Sequence, residues 1–168
     1  MAATFDLYLI RHGLAGEHGS HHPDEERPLT SEGQKKTRQV AKHLRDLEVR
    51  FDLVLTSPLV RAQQTAEILI DVGLSKRLEQ ASSLAPGGNL QAWVEWLHTW
   101  ERSPQRSLAL VGHEPSLSQW AETLIWGQFK GAIVLKKAGV IGLSLPTEGN
   151  PIAQSSLVWL APPRLLLG

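Results

Sequence analysis

The stretch Phe5-Asp6-Leu7-Tyr8-Leu9-Ile10-Arg11-His12-Gly13 decides how the rest of the chain reads. It is a short, largely apolar run that stops abruptly at a cation, an imidazole and a glycine. A run of this length, bounded by turn residues, has the pattern of a buried strand. Two further runs share the pattern. Residues 52–56 end in Thr56-Ser57-Pro58, with Arg61 following inside the first helical turn, and residues 108–111 end in Gly112-His113-Glu114-Pro115. Weaker strand candidates are 132–136, 139–144 and 155–160.

Between these runs the apolar residues recur at helical steps. Residues 30–47 place Val40, Leu44 and Leu47 on one side, and 59–70 place Leu59, Ala62, Ala66 and Leu69. Residues 90–101 place Leu90, Trp93, Leu97 and Trp100, and 116–126 place Leu117, Trp120 and Leu124. Strands alternating with helices predict an α/β fold, a three-layer sandwich with helices on both faces of a mostly parallel sheet. The β-rich tail predicts that the sheet is mixed. In the parallel part of such a sheet, strand C-termini share one edge, and that edge is where open α/β folds bind ligands. Ser57 with Pro58, and Pro115, are placed to open the helices that follow.

One pocket is therefore expected to hold Arg11, His12, Arg61 and His113. Two guanidinium forks match the oxygens of a phosphoryl group, and helix N-termini add N–H donors. Of two histidines at an anion site, a neutral one can attack phosphorus and a protonated one can hold an equatorial oxygen. Gly13 would let the backbone approach the ligand closely. The cationic side chains neutralise a phosphoryl group by themselves, so no metal and no cofactor is expected. His18, His21 and His22, followed by Asp24, Glu25 and Glu26, invite a metal reading. Their spacing is not that of a helical ligand pair, and a polar loop over residues 18–28, placed to act as a flap, accounts for them better.

Composition narrows the alternatives. At ~150 residues per domain, 168 residues make one domain, residues 1–168. The 17 Lys and Arg balance the 17 Asp and Glu, which argues against a general nucleic-acid binder and against electrostatic docking on an anionic membrane. With no cysteine, disulfides, thiol catalysis and thiolate metal sites are excluded. No apolar segment is long enough to span a bilayer and the start lacks a secretory pattern, so a cytoplasmic protein is expected. Trp93, Trp96 and Trp100 follow the spacing of a packed helix face rather than of a recognition stripe. Lys35-Lys36 and Lys136-Lys137 read as solvated charges.

Residues 5–13, then Thr56-Ser57-Pro58-Leu59-Val60-Arg61-Ala62-Gln63-Gln64-Thr65-Ala66, then Val111-Gly112-His113-Glu114-Pro115, resemble the histidine phosphatase superfamily, and within it the small SixA-like phosphohistidine phosphatases. The resemblance runs from about residue 5 to the end. It implies a phosphoglycerate mutase-like fold and His12 as the nucleophile, through a phosphohistidine intermediate. It also implies that Arg11, Arg61 and His113 bind the phosphoryl group. Arg27-Pro28-Leu29-Thr30 resembles the segment that opens the first helix in the SixA-like branch, which makes Arg27 a further anion contact.

Hydrolysis of an alkyl phosphate needs a proton donor for a poor leaving group. The mutase-like members carry a glutamate after the third strand. Here the corresponding residues 82–89 contain no acid, and Ala15 stands where a hydroxyl residue often follows Arg-His-Gly. That departure points to a substrate whose P–N bond breaks easily, phosphohistidine on a signalling or phosphotransfer protein. Glu17, Glu114 and Asp24 are the remaining candidate acids. The alternatives are a small-molecule phosphomonoesterase that uses one of them, and a non-catalytic phosphate-binding domain.

Overall fold

The computed structural model describes residues 3–100 and 106–167. The three strong runs become parallel strands β1 (Thr4–Arg11), β2 (Leu53–Thr56) and β4 (Ser107–Gly112), joined by β3 (Leu78–Gln80). The tail adds β5 (Val140–Pro146), antiparallel to β1, and β6 (Ser156–Ala161). The strand order is β3-β2-β4-β1-β5-β6. This is the expected α/β fold with a mixed sheet.

Period-two alternation divides each central strand between two cores. Phe5, Leu7, Leu9, Leu53, Leu55, Leu108, Leu110, Ile141 and Leu143 face one side, where Trp93, Leu97, Leu117, Trp120 and Leu124 pack on them from α3 (Leu90–Thr99) and α4 (Ser116–Trp126). Ile10, Val54, Ala109, Val111 and Val140 face the other. There α1 (Ser31–Asp46) and α2 (Val60–Val72) contribute Val40, Leu44, Ala62, Ala66 and Leu69, and α5 (Pro163–Leu166) contributes Leu166. Trp93 is buried in its core with Trp96 and Trp100 packed at the rim, as the spacing predicts. The expected end of this helix at Glu101 lies outside the described residues. Among the described residues no helix is long and apolar enough to cross a membrane.

Helix starts follow local chemistry. The Thr30 side chain accepts from Gly33 N at 2.9 Å and opens α1, and the Asn89 side chain accepts from Ala92 N at 3.0 Å and opens α3. Ser57 and Pro58 do not form the first turn of α2, which begins at Val60. The Ser57 hydroxyl still accepts from Leu59 N at 3.2 Å, so it shapes the approach to the helix. Pro115 sits at the N-cap of α4, and the Glu114 carboxylate before it accepts from Ser118 N in the first turn at 2.8 Å.

One expected strand is absent. Residues 132–136 lie outside the sheet, and the amides at their start have another acceptor. The buried Glu122 carboxylate accepts from Lys130 N at 3.0 Å, Ala132 N at 3.1 Å and Ile133 N at 3.5 Å. Burial disfavours its charge, yet these backbone donors hold the carboxyl below the usual carboxylate range. The segment then turns back onto the end of β1, with Arg11 N donating to Gly139 O at 3.2 Å and Ala138 N to Arg11 O at 3.0 Å.

Close packing of α1 on the chain after β1 depends on Gly33. A Cβ there would lie 2.0 Å from the Leu14 carbonyl oxygen, a contact with rigid backbone. Gly33→Ala is expected to destabilise the protein by about 2 kcal/mol despite alanine's better helix propensity. A thermal melt should show a fall of roughly 4–8 °C; an unchanged melting temperature would refute the contact.

Candidate active site

The parallel ladder carries on beyond the strands and sets the site residues side by side. His12 N donates to Gly112 O at 3.1 Å, and Ser57 N to Val111 O at 3.0 Å. His12 and His113 therefore stand at neighbouring strand ends with ring centroids 5.2 Å apart. Arg61 comes from the first turn of α2, which is tied to β1 through one hydroxyl. Thr65 Oγ1 donates to Arg61 O at 2.8 Å and accepts from Gly13 N at 3.0 Å.

The four side chains line a cleft of about 380 Å³ together with Arg27, Glu17, Glu114 and Lys137. Each is held by a specific partner. His12 Nδ1 lies 2.7 Å from Gly13 O. A carbonyl only accepts, so Nδ1 carries the proton and Nε2 keeps its lone pair. His113 Nε2 lies 2.7 Å from Ser57 Oγ. Arg11 Nη1 donates to Leu135 O at 3.0 Å, the carbonyl presented by the segment that Glu122 anchors. Arg11 Nε, Arg61 Nε and His113 Nδ1 are buried with no hydrogen-bond partner among the described residues. Buried polar groups of this kind are uncommon in native proteins, and here all three belong to the expected anion site.

The 18–28 segment is anchored rather than loose. Its base is closed by a bridge between Ala15 and Leu29, and Gly16 N donates to Pro28 O at 3.2 Å. A single turn of 3-10 helix, Asp24–Glu26, carries Asp24 against the cations. The Asp24 carboxylate lies 3.2 Å from Arg61 Nη2, 2.9 Å from Arg27 Nε and 3.6 Å from His18 Nδ1. The Arg27 hydrogen bond and the charges of Arg61 and Arg27 hold its carboxyl below the usual range. Arg27 thus lines the cleft while paired to Asp24, and its Nη1 also donates to Gly16 O at 2.6 Å.

Three expectations change. Gly13 does not line the cleft, because its amide is used by Thr65, and its lack of a side chain serves packing. A Cβ there would stand 2.2 Å from Thr37 Oγ1. His113 is not protonated in the free site. Burial first, then the neighbouring Arg61 and Arg11 charges, push it down to about 4, and burial pushes His12 down to about 3. Lys137, read from sequence as a solvated charge, reaches the cleft because the 135–139 turn folds over the end of β1. No spacing in the sequence announces that. Trp126 and Phe129 are exposed and do not line the cleft.

These depressed histidines have a measurable consequence. In the unfolded chain both titrate near ~6.5. Between there and their folded values the unfolded state binds more protons, so stability falls as pH falls. From pH 6.5 to 5 the loss is expected to reach about 1.5 kcal/mol per histidine. Urea unfolding at both pH values checks it. The same acidification should cost His113→Asn roughly half as much as the wild type; an equal loss in both would assign the effect elsewhere.

Comparisons with known proteins fit this geometry. Residues 7–84 match the histidine phosphatase superfamily (branch 1), a span that includes Arg11, His12, Arg27 and Arg61. An uncharacterized protein of Picosynechococcus sp. is 42% identical over 164 residues, covering 94% of this chain and 99% of that protein. The chain belongs to the histidine phosphatase superfamily. Phosphohistidine phosphatase SixA of Escherichia coli is 28% identical over 145 residues, covering 86% of this chain and 88% of that protein. The structure of the protein histidine phosphatase SixA complexed with tungstate superposes with a TM-score of 0.82 at 25% identity, covering 96% of this chain and 99% of that one. This histidine phosphatase is thus SixA-like in sequence and fold, and it is a phosphatase.

Proposed function

We propose that this histidine phosphatase, through one domain of residues 1–168, removes the phosphoryl group from phosphohistidine on a signalling or phosphotransfer protein in the cytoplasm. His12 Nε2 attacks phosphorus in line with the scissile P–N bond. The Nε2–P bond forms, and the substrate imidazole departs and takes a proton from solvent. Water then attacks the phosphorus carried by His12, a P–O bond forms, the P–Nε2 bond breaks, and inorganic phosphate leaves. Arg11, Arg61, Arg27 and His113 hold the equatorial oxygens and spread the charge that builds on them. An arriving phosphoryl dianion favours the imidazolium form of His113, restoring the second N–H donor that the free site lacks.

The observation that carries the reading is the state of the carboxylates around the cleft. Asp24 is held ionised by two arginines. Both oxygens of Glu114 are occupied by the N-terminus of α4, accepting from Ser118 N at 2.8 Å and Ser118 Oγ at 2.7 Å. Glu17 is exposed at the cleft edge with no hydrogen bond that orients it. Among the described residues no carboxyl group is therefore oriented as a proton donor, whereas Arg11, His12, Arg61 and His113 stand ready for a phosphoryl group. An alkyl ester would forgo the ~10²–10⁴-fold that general acid catalysis supplies, and an imidazole leaving group would not. The E. coli relative bears the name phosphohistidine phosphatase, and a solved SixA holds tungstate, an oxyanion, in keeping with the cationic cleft here.

A substrate panel tests the reading. The kcat/KM for a phosphohistidine peptide is expected to exceed that for sugar phosphates by about 10²-fold or more. Chelator should leave it unchanged, because Arg11 and Arg61 supply the counter-charge. Preference for sugar phosphates would overturn the assignment in favour of a phosphomonoesterase. Tight phosphate binding without turnover of any substrate would leave a non-catalytic phosphate-binding domain.

A further inference from the structure

Beside the catalytic cleft runs a larger groove of about 810 Å³, walled by α1, the 134–138 turn and the C-terminal residues 160–167. Arg11, Leu14 and Lys137 line both, so the two spaces adjoin. The groove has more than a phosphoryl group can use. Its cations are Arg11, Lys36, Lys136, Lys137 and Arg164, and no carboxylate lines it among the described residues, although the whole chain is neutral at 17 against 17. Lys36 pairs with Glu32 at 3.1 Å on α1, while Lys136, Lys137 and Arg164 make no ion pair among the described residues. Between the charges the surface is apolar and open to solvent, with Val134 63% and Leu160 38% exposed.

We propose that this groove docks an acidic, partly apolar segment of the phosphorylated protein, next to the phosphohistidine held in the cleft. The inference rests on the phosphohistidine reading for its choice of partner. The residue chemistry selects the occupant. Apolar walls gain nothing from a free phosphate or a sugar, and uncompensated cations disfavour a purely apolar guest. A segment that alternates carboxylates with apolar side chains matches both features and gains rate and orientation from the charge match. The groove is a concavity between α1, the 134–138 turn and residues 160–167, which suits a chain segment and not the flat face of a bilayer. Docking also gives specificity to a cleft whose own contacts recognise only a phosphoryl group.

The test uses the whole protein and two fluorescent histidine peptides with the same apolar residues, one rich in glutamate and one rich in lysine. Unphosphorylated forms report docking by anisotropy, and forms phosphorylated at the histidine report turnover. Wild type is expected to bind the acidic peptide about tenfold or more tighter than the basic one. The double variant Lys136→Glu/Arg164→Glu should lose that preference while its turnover of phosphoramidate stays within about twofold, since neither residue lines the cleft. Equal affinity for the two peptides, or a double variant that binds like wild type, overturns the proposal. So does binding of equimolar phosphatidylglycerol–phosphatidylcholine vesicles in place of peptide, or a dimer in sedimentation that the double variant dissociates. Acidic-peptide binding without hydrolysis of its phosphohistidine form would support the docking groove and reject the phosphohistidine assignment, so the two failures are separable.

Discussion

His12→Ala is expected to lower phosphohistidine hydrolysis by about 10⁴-fold or more and to abolish an acid-labile phosphoryl label that the wild type acquires during turnover. The size follows from how His12 is held. Its Nδ1 proton is directed to the Gly13 carbonyl at 2.7 Å, which leaves Nε2 as the free lone pair. Burial keeps the ring neutral far below pH 7, so almost every molecule carries the nucleophilic form. No cysteine exists in the chain to replace it. His113 differs in that its Nε2 is engaged with Ser57 Oγ at 2.7 Å. Quenched-flow labelling with a radiolabelled phosphohistidine peptide makes the measurement. A variant that still turned over within tenfold of wild type, or still took up label, would move the nucleophile to another residue.

Arg61→Ala is expected to reduce kcat/KM by about 10²–10³-fold, more than Arg27→Ala. Arg61 is 5% exposed, and its guanidinium faces the cleft beside Asp24. Its removal takes away a phosphoryl contact and also leaves the Asp24 carboxylate less neutralised where an anion must bind. The two losses are separable because they share a partner. Asp24→Ala in the Arg61→Ala background should recover about tenfold, whereas the effects of distant sites would simply add. Strict additivity would show that Asp24 does not bear on the bound phosphoryl group. Arg61→Lys should stay impaired, because an ammonium keeps the charge but loses the planar fork.

The parts of the fold legible in the sequence were those whose apolar residues had one unambiguous period. β2 and β4 read as strands because both faces are buried, β1 because its apolar residues alternate before a continuous apolar end, and α1 to α4 because one face is buried. β3 escaped because Leu78–Gln80 is three exposed residues at the sheet edge with no apolar pattern. α5 escaped because four residues after Pro162 are too few to show a helical period. Residues 132–136 had the composition of a strand, but ladder formation depends on where the amides find acceptors. Here Glu122, ten residues upstream, supplies them.

The candidate site divides the same way. Arg11, His12, Arg61 and His113 could be grouped from sequence because each follows a recognisable strand end, and parallel strands align their C-termini. The sequence by itself determined that neutral charge overall would coexist with a local cluster of cations and imidazoles, and that no thiol would take part. Only the tertiary structure decided which atoms were free to act. It turned Gly13 N toward Thr65, committed Glu114 to α4, set Asp24 against Arg61 and Arg27, and brought Lys137 to the cleft. Proton positions, pairings and burial arise between residues far apart in the chain. They depend on distances of a few ångström that no spacing along the chain encodes.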